Sequence, residues 1–254
     1  MSGTVYLVGA GPGAPDLVTL RAAALLGRAD IVFYDALVHP DTVALAARAR
    51  TVAVGKRCGR HSTAQRFISK QLVDAAARYA VVVRLKGGDP MLFGRAQEEI
   101  AALEAAGVRC EVVPGVTAAL AASAQLGIAL TQRGSVRTVA FATPRVGDGA
   151  APNDWAASVV AADGGAIYMG AGQAAEIART LIAAGKPRAT PVAIVENASL
   201  PHARTIFATL ETLPGIADAN LSGPALILIG PQYRARATAA DAVPDVAAEA
   251  RRSA

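Results

Sequence analysis

The chain has 254 residues, of which 53% are hydrophobic and only 4% are aromatic, and its formal net charge is +5. This length suits one large domain or two compact ones, and the absence of an apolar run of about 20 residues argues against a membrane protein. The basic excess fits a small polyanionic substrate as well as nucleic acid. Because the sequence has neither a run of five Lys or Arg residues nor a basic-aromatic stripe, we predict no nucleic-acid partner.

We expect no secretion signal, because residues 5–8 lead at once into a glycine-rich loop and no basic segment precedes them. The two cysteines, Cys58 and Cys110, are spaced neither as a redox pair nor as a zinc knuckle, and the three histidines are far apart in sequence. We therefore expect a cytoplasmic protein with reduced thiols, and we predict no metal site.

Strand-like and helix-like segments alternate through the first half of the chain. Strands are predicted over residues 4–8, 30–34, 51–54, 80–85 and 109–113. Helices are predicted between them over residues 17–27, 63–79 and 95–106, the last ending at Gly107. This alternation implies a mostly parallel sheet that helices cover on both faces.

The pattern restarts near Pro114. A helix predicted over 116–126 is followed by predicted strands over 137–142, 166–169, 192–195, 204–210 and 225–229. Looser spacing and hairpin-like pairing near the end favour a mixed sheet. We therefore predict an α/β fold of two α/β domains, residues 1–113 and 117–235, with an active-site cleft between them. Residues 236–254 are Ala-rich and charged without an apolar stripe, which predicts a flexible tail.

The first predicted strand runs into a glycine-rich loop, Gly9-Ala10-Gly11-Pro12-Gly13. Glycines let the backbone approach a ligand closely. The loop departs from the G-x-G-x-x-G dinucleotide motif, because Ala14 stands where the third glycine should be and Pro12 lacks an N–H. A nicotinamide-dependent oxidoreductase stays an alternative, since Asp30 lies at a suitable distance downstream for a ribose contact.

Two further glycine turns follow. Arg84-Leu85-Lys86-Gly87-Gly88-Asp89-Pro90 ends another strand, and Val113-Pro114-Gly115-Val116-Thr117-Ala118 opens the second domain. Each turn taken singly is more typical of a simple chain reversal than of a site. Turns at the carboxyl ends of parallel strands share one edge of the sheet, so their joint occurrence predicts a common binding crevice.

Segments along residues 4–231 match one known family. They are Val8 to Gly13, Tyr34-Asp35-Ala36-Leu37-Val38, Val54-Gly55-Lys56-Arg57, Arg84 to Pro90, Val113 to Ala118, Ile128 to Arg133, Tyr168-Met169-Gly170, Pro191 to Asn197 and Ser222 to Leu226. The chain resembles the tetrapyrrole methylase family and, within it, the uroporphyrinogen-III C-methyltransferases. The Val54 to Arg57 and Arg84 to Pro90 segments are the specific ones, whereas the wider family shares the Gly11-Pro12-Gly13 loop.

The resemblance implies a homodimer of two-domain chains that binds S-adenosyl-L-methionine in the cleft and releases S-adenosyl-L-homocysteine. It also implies the reaction, methylation of uroporphyrinogen III at C2 and C7 to precorrin-2, within siroheme and cobalamin biosynthesis. The expected form is the standalone methyltransferase without a dehydrogenase-ferrochelatase module. Neither a membrane nor nucleic acid is an expected partner.

The resemblance assigns catalytic roles to two residues. Asp35 would be the proton acceptor, and Lys56 would be a proton donor or would pair with a substrate carboxylate. Without the resemblance, Asp35 would be interpreted as a loop or helix-capping acid and Lys56 as a surface lysine.

The resemblance also carries binding roles. The expected cofactor contacts are Pro12, Gly87, Gly88, Asp89, Leu92, Thr117, Ala118, Met169, Ala193 and Ala198. Uroporphyrinogen III carries eight carboxylates, which require a cationic lining. The candidates are Arg57, Arg60, Arg84, Arg95 and Arg133, of which Arg95 and Arg133 are preferred.

The sequence departs from the family pattern at a few places. Ala14 replaces a usual Asp, Ala36 a frequent Arg and Ala198 a frequent Gly, and residues 141–145 lack a usual Thr-Gly-His. Because Asp35 and Lys56 are present, we expect activity, while substrate contacts in the second domain stay open. Two rival functions are a sister precorrin methyltransferase acting on a later corrin intermediate and a related methyltransferase acting on protein or ribosomal RNA. A non-catalytic binding module would leave Asp35 and Lys56 unexplained.

Overall fold

The structure is a computed structural model that describes residues 3–55, 65–146, 154–218 and 221–234. The chain divides into two compact units, Met1–Ala121 with Ala198–Pro201 and Ala122–Asn197 with His202–Ala254. This boundary lies later in the chain than the predicted one near Pro114, and a short segment of the second half belongs to the first unit. The predicted tail, residues 236–254, lies outside the described residues.

The first unit contains a five-stranded sheet. Its strands are β1 (Thr4–Gly9), β2 (Ile31–Tyr34), β3 (Arg50–Ala53), β4 (Val81–Lys86) and β5 (Cys110–Val113). Their order is β3-β2-β4-β1-β5, and every neighbouring pair is parallel. The carboxyl ends of the strands therefore lie at one edge of the sheet, which gathers the turns that follow them.

Helices cover both faces of this sheet. They are α1 (Leu20–Arg28), α2 (Pro40–Ala44), α3 (Gln65–Ala76), α4 (Ala96–Ala105) and α5 (Ala118–Leu126), the last of which crosses the boundary between the units. Leu72 of α3 and Leu103 of α4 belong to one buried cluster with Val82, while Leu25 of α1 belongs to another with Val83. Because neighbouring side chains of a strand point to opposite faces, these two clusters mark the two covered faces of β4.

The second unit contains a sheet of different topology. Its strands are β6 (Val139–Ala142), β7 (Gly164–Ile167), β8 (Pro191–Glu196), β9 (Arg204–Thr209) and β10 (Ala225–Ile229). The order is β6-β7-β10-β8-β9; β6 and β7 are parallel, and the other neighbouring pairs are antiparallel. The helices α6 (Trp155–Ala161) and α7 (Ala174–Ala183) complete the unit, whose buried core includes Ile177 and Leu181 of α7 with Ile194 and Ile227.

The predicted fold class, a parallel α/β sheet followed by a mixed one, is confirmed. The predicted hairpin-like pairing corresponds to the antiparallel β8–β9 pair. Among the described residues, every helix is too short or too polar to cross a membrane.

Candidate active site

Two of the three glycine turns meet at the carboxyl edge of the first sheet. Gly11 and Gly88 pair across the turns: the N–H of Gly88 donates to the carbonyl of Gly11 at 2.7 Å, and the reverse bond is 3.2 Å long. Their φ angles are +77° and +68°, a region that glycine enters without steric cost. The sequence therefore needs glycine at both positions to bring these backbones together.

The third turn packs against the other two. A Cβ added to Gly9 would lie 2.6 Å from the Cα of Gly115, and one added to Gly115 would overlap the carbonyl oxygen of Gly88. The carboxylate of Asp89 accepts hydrogen bonds from the N–H groups of Gly115 at 2.9 Å and Met91 at 2.8 Å. Asp89 thus ties the second turn to the third, and the predicted convergence of the glycine turns is present within the first unit.

The segment 198–201 completes this cluster. Ser199 Oγ accepts a hydrogen bond from the N–H of Ala14 at 3.0 Å. A Cβ on Gly13 would lie 3.0–3.3 Å from atoms of Leu200, Ser199 and Ala198. The backbone space around Gly9, Gly13 and Gly115 is therefore too small for side chains, which fits a site that holds its ligand through main-chain groups.

Asp35 follows β2 at the same edge of the sheet and is held by an arginine. Arg84 Nη2 donates to Asp35 Oδ1 at 2.5 Å, and the Asp35 side chain is 29% exposed whereas that of Arg84 is 2% exposed. The carboxylate therefore has one oxygen fixed by a buried cation while the group stays accessible. This geometry suits a base that must meet a ligand in a fixed orientation.

A buried charged cluster lies behind Asp35. Glu99 of α4 is fully buried, and its Oε1 accepts hydrogen bonds from Arg84 Nε at 3.1 Å, Lys86 Nζ at 3.2 Å and Gln65 Nε2 at 2.9 Å. Lys86 Nζ also donates to Glu99 Oε2 at 3.2 Å. Burial and the neighbouring Arg84 guanidinium lower the pKa of Lys86, and Glu99 opposes that shift. Sequence patterns gave no role to Glu99 or Lys86, and they made Arg84 a candidate for substrate binding instead.

The predicted cofactor contacts fall into two groups. Seven of them lie in or beside the turns of the first unit, and Ala198 lies in the returning segment that contacts Gly13. Met169 and Ala193 belong to the second unit. Met169 follows β7 with φ +57° and is 45% exposed, whereas Ala193 is fully buried within β8.

The arginines considered for the substrate differ in their surroundings. Arg95 is exposed and pairs with Glu98, both bonds being 2.7 Å long, and Arg133 is exposed in the second unit. Arg84 does not fit the role, because its guanidinium is buried and binds Asp35, Glu99 and the carbonyl of Leu85. The candidates Lys56, Arg57 and Arg60 lie outside the described residues.

The position of Asp30 argues against a nicotinamide nucleotide. Asp30 precedes β2, and its carboxylate accepts a hydrogen bond from the N–H of Val81 at 2.8 Å, at the start of β4. It therefore lies at the amino edge of a parallel sheet, opposite the glycine turns. A ribose-binding acid must instead lie at the carboxyl edge.

Known proteins resemble this chain over most of its length. A model of the family described as Tetrapyrrole (Corrin/Porphyrin) Methylases matches residues 4–214. The siroheme synthase of Chromobacterium violaceum is 45% identical over 231 residues, which are 90% of this chain and 49% of that protein. The chain thus spans about half the length of the curated relatives that it matches.

Solved structures extend the likeness to three dimensions. The uroporphyrin-III C-methyl transferase of Thermus thermophilus, complexed with S-adenosyl homocysteine, is 39% identical with a TM-score of 0.81 and is covered over 100% of its length by 92% of this chain. A cobalt precorrin-4 methyltransferase is 29% identical with a TM-score of 0.78, over 89% of this chain and 94% of that one. The sequence motifs, the parallel sheet of the first unit and the mixed sheet of the second unit all agree with this family match. The chain therefore belongs to the tetrapyrrole methylase family.

Proposed function

We propose that the chain is an S-adenosyl-L-methionine-dependent C-methyltransferase that converts uroporphyrinogen III to precorrin-2 by methylation at C2 and C7. The observation that carries the proposal is the likeness to the Thermus thermophilus enzyme, which spans the whole of that chain and whose structure contains S-adenosyl homocysteine. The glycine cluster of the first unit supports it, because its main-chain surface can hold a ligand where side chains do not fit.

The first task of the chain's residues is to bind and orient. Bound S-adenosyl-L-methionine supplies an activated methyl group on a sulfonium. Gly87, Gly88 and Asp89 form the turn that we expect to hold it, with Pro12, Leu92, Thr117 and Ala118 beside them; the proposal adds Met169, Ala193 and Ala198 from later in the chain. Alignment of acceptor carbon, methyl carbon and sulfur is an orientation effect that fixed backbone supplies well.

The second task is proton removal. When a pyrrole carbon gains a methyl group, the macrocycle must lose a proton from another position to become neutral again. Asp35 is the proposed acceptor of that proton. Arg84 orients its carboxylate through the 2.5 Å bond and leaves the side chain 29% exposed. Lys56, which lies outside the described residues, remains the proposed proton donor.

Recognition of the substrate requires cations for its carboxylates. Arg95 and Arg133 are the proposed contacts, and both are exposed. Arg95 pairs with Glu98, and the two side chains are 58% and 52% exposed. Exposed ion pairs of this kind contribute little free energy, so Arg95 can exchange Glu98 for a substrate carboxylate at small cost.

An anaerobic assay tests the proposal. Purified protein is incubated with S-adenosyl-L-methionine and freshly made uroporphyrinogen III, and the product is examined by mass spectrometry and absorption. A gain of two methyl groups supports the assignment. A sister precorrin methyltransferase, which the likeness to the cobalt precorrin-4 enzyme keeps as the second candidate, would instead leave uroporphyrinogen III unchanged and methylate a later corrin intermediate.

Replacement of the proposed base separates binding from turnover. Asp35→Ala should retain S-adenosyl-L-homocysteine binding in calorimetry but lose turnover by about two to four orders of magnitude, the usual contribution of a positioned base. The exposed Asp74→Asn on α3 serves as the matched control. Turnover of Asp35→Ala within threefold of the unmodified chain would remove Asp35 from this role.

Assembly and location are further parts of the proposal. The resemblance implies a cytoplasmic homodimer without nucleic-acid or membrane partners. Light scattering should then give twice the chain mass of 25.7 kDa. A mass of one chain at the concentration of the assay would contradict the homodimer. It would not affect the proposed methyltransferase activity, which the anaerobic assay tests separately.

A further inference from the structure

The buried cluster behind Asp35 contains one more cation than its buried carboxylate can balance. Arg84 and Lys86 occupy alternate positions of β4, so both side chains point to the face that α3 and α4 cover. Glu99 is fully buried between them, and the side chains of Arg84 and Lys86 are 2% and 5% exposed. Asp35, at the accessible rim, supplies the second negative charge.

Glu99 also fixes the direction in which Arg84 points. Its Oε1 accepts from Arg84 Nε, and Arg84 Nη2 then reaches Asp35 Oδ1. A guanidinium is planar and rigid, so a bond at Nε sets the plane in which Nη2 lies. The carbonyl of Leu85 accepts from Nη1 at 3.2 Å and completes the fixation. Glu99 of α4 therefore determines the orientation of the Asp35 carboxylate through a single side chain, that of Arg84.

Such a buried arrangement is poor evidence of a role in stability alone. Charges buried in pairs give up their hydration, and well-packed apolar residues often replace them without loss of stability. The charges of the cluster instead extend to Asp35, whose side chain is 29% exposed at the carboxyl edge of the sheet. Orientation of that carboxylate is the property that an apolar replacement cannot supply.

We propose that Glu99 is a positioning residue for methyl transfer, which holds Arg84 so that Asp35 meets the substrate in a productive orientation. The inference rests on the proposed function, in which Asp35 accepts a proton. Glu99 does not touch the substrate, so its removal should lower kcat and leave cofactor affinity in place.

Glu99→Gln keeps the shape of the side chain and removes its charge. The amide oxygen will take the Oε1 position, where three donors converge, and its NH2 group will then face the Lys86 ammonium, 3.2 Å away at the Oε2 position. Two donors cannot satisfy each other, so we expect the cluster to rearrange and kcat to fall at least tenfold. The Kd for S-adenosyl-L-homocysteine should change less than threefold. Glu104→Gln, an exposed position on the same helix, should match the unmodified chain in both.

Two double variants separate positioning from folding. Lys86→Met with Glu99→Gln removes the donor conflict and retains the acceptor for Arg84 Nε, so kcat should recover to within threefold of the unmodified chain. Lys86→Met with Glu99→Leu has the same charge balance but no acceptor, so its kcat should stay at least tenfold lower. This pair decides the matter even if Glu99→Gln alone does not fold.

The unmodified chain is assayed first, so that absence of methylation there counts against the proposed function and not against Glu99. Given turnover by that chain, equal kcat values for the two double variants would overturn the positioning role. A loss of kcat in the Leu variant that merely follows an equal loss of S-adenosyl-L-homocysteine affinity would also overturn it.

Discussion

Strained backbone occurs at or next to several residues that are predicted ligand contacts. In the described part of the chain, five non-glycine residues have φ between 52° and 73°: Phe93, Arg95, Met169, Asn197 and Ser199. This left-handed conformation costs an L residue about 1–2 kcal/mol and persists where the surrounding structure enforces it. Phe93 follows Leu92, the Asn197 and Ser199 pair flanks Ala198, and Arg95 and Met169 are themselves predicted contacts. Strain therefore coincides with the segments that the family resemblance selects.

The closest backbone approach gives a test at the scale of one residue. Gly115→Ala places a Cβ against the Gly88 carbonyl and the Gly9 backbone, and the turns must separate to admit it. We expect a loss of about 1–3 kcal/mol in the free energy of unfolding, as for other overpacked positions, and weaker S-adenosyl-L-homocysteine binding. Thermal unfolding followed by circular dichroism, together with calorimetric titration, measures the two effects.

Gly27 in α1 is the matched control, because a Cβ there meets nothing within 4 Å. Gly27→Ala should be neutral or stabilising, since alanine is the better helix residue by about 0.5–1 kcal/mol. Equal behaviour of the two alanine variants would contradict the tight approach of the turns.

Sequence patterns predicted the meeting of the glycine turns and missed the charged cluster behind Asp35. Glycines at strand ends are visible locally, and their meeting follows from the edge of a parallel sheet. Glu99 was missed although it occupies the apolar face of α4 between Ala96 and Leu103, a signal that a charged residue lies in the core. Its bond partner Gln65 is 34 residues away and Ser199 bonds Ala14 across 185 residues, separations at which local patterns carry no pairing information.

At the scale of elements, an unbroken apolar run bounded by proline and glycine predicted a strand most accurately. The strand predicted over 225–229 has the same bounds in the structure, whereas the one predicted over 166–169 is β7, Gly164–Ile167. A Cβ added to Gly165 would lie 3.2 Å from Val159, so this position of β7 has little room for a side chain. Met169 has positive φ and cannot extend the strand. The helix α7 was missed, although Ile177 and Leu181 recur at helical spacing and are buried on one face.

One side chain anchors the entry of the chain into β6. Asp163 Oδ2 accepts hydrogen bonds from the N–H groups of Arg137 at 2.8 Å and Thr138 at 2.9 Å, and from Thr138 Oγ1 at 2.9 Å. The Arg137 N–H, followed by that of Thr138, holds the pKa of this carboxyl below its ordinary value. The ionised carboxylate therefore stabilises the second unit at neutral pH, where both folded and unfolded chains are ionised.

The sign of the pH dependence follows from the lowered pKa. As pH falls through the folded-state pKa, the native carboxylate is protonated and its contribution is lost. Asp163→Asn should lower the Tm at pH 7, and the difference from the unmodified chain should shrink towards about pH 3. Groups common to both proteins titrate alike, so the difference isolates Asp163. A Tm difference that stays constant from pH 7 to that limit would contradict the role of the charge.

For the whole molecule, the net charge supports the proposed substrate and the glycine turns support the proposed cofactor. The net charge of +5 favours approach of a polyanion, and uroporphyrinogen III with eight carboxylates is such a molecule. The glycine turns of the first unit offer uncharged main-chain surface, which suits a nucleoside-like donor better than a carboxylate-rich macrocycle. The proposed cofactor and the proposed substrate would thus bind through different groups of the chain, so their binding can be tested separately.

Ligand-induced stabilisation tests cofactor binding on the intact chain. A ligand that binds the folded state at about 100 times its Kd adds about 2.7 kcal/mol, which corresponds to a rise of about 5–10 °C in Tm for a chain of this size. We expect this rise with S-adenosyl-L-homocysteine for the unmodified chain and for Asp35→Ala, because Asp35 is proposed as a proton acceptor and not as a cofactor contact. Asp89→Asn should lose most of this rise in Tm. Its amide NH2 group replaces an oxygen that accepts a hydrogen bond from Gly115 or Met91, so the turns are no longer held together. An equal rise in all three proteins would show that the Asp89 bonds do not shape the cofactor site, and the absence of a rise in the unmodified chain would contradict cofactor binding itself.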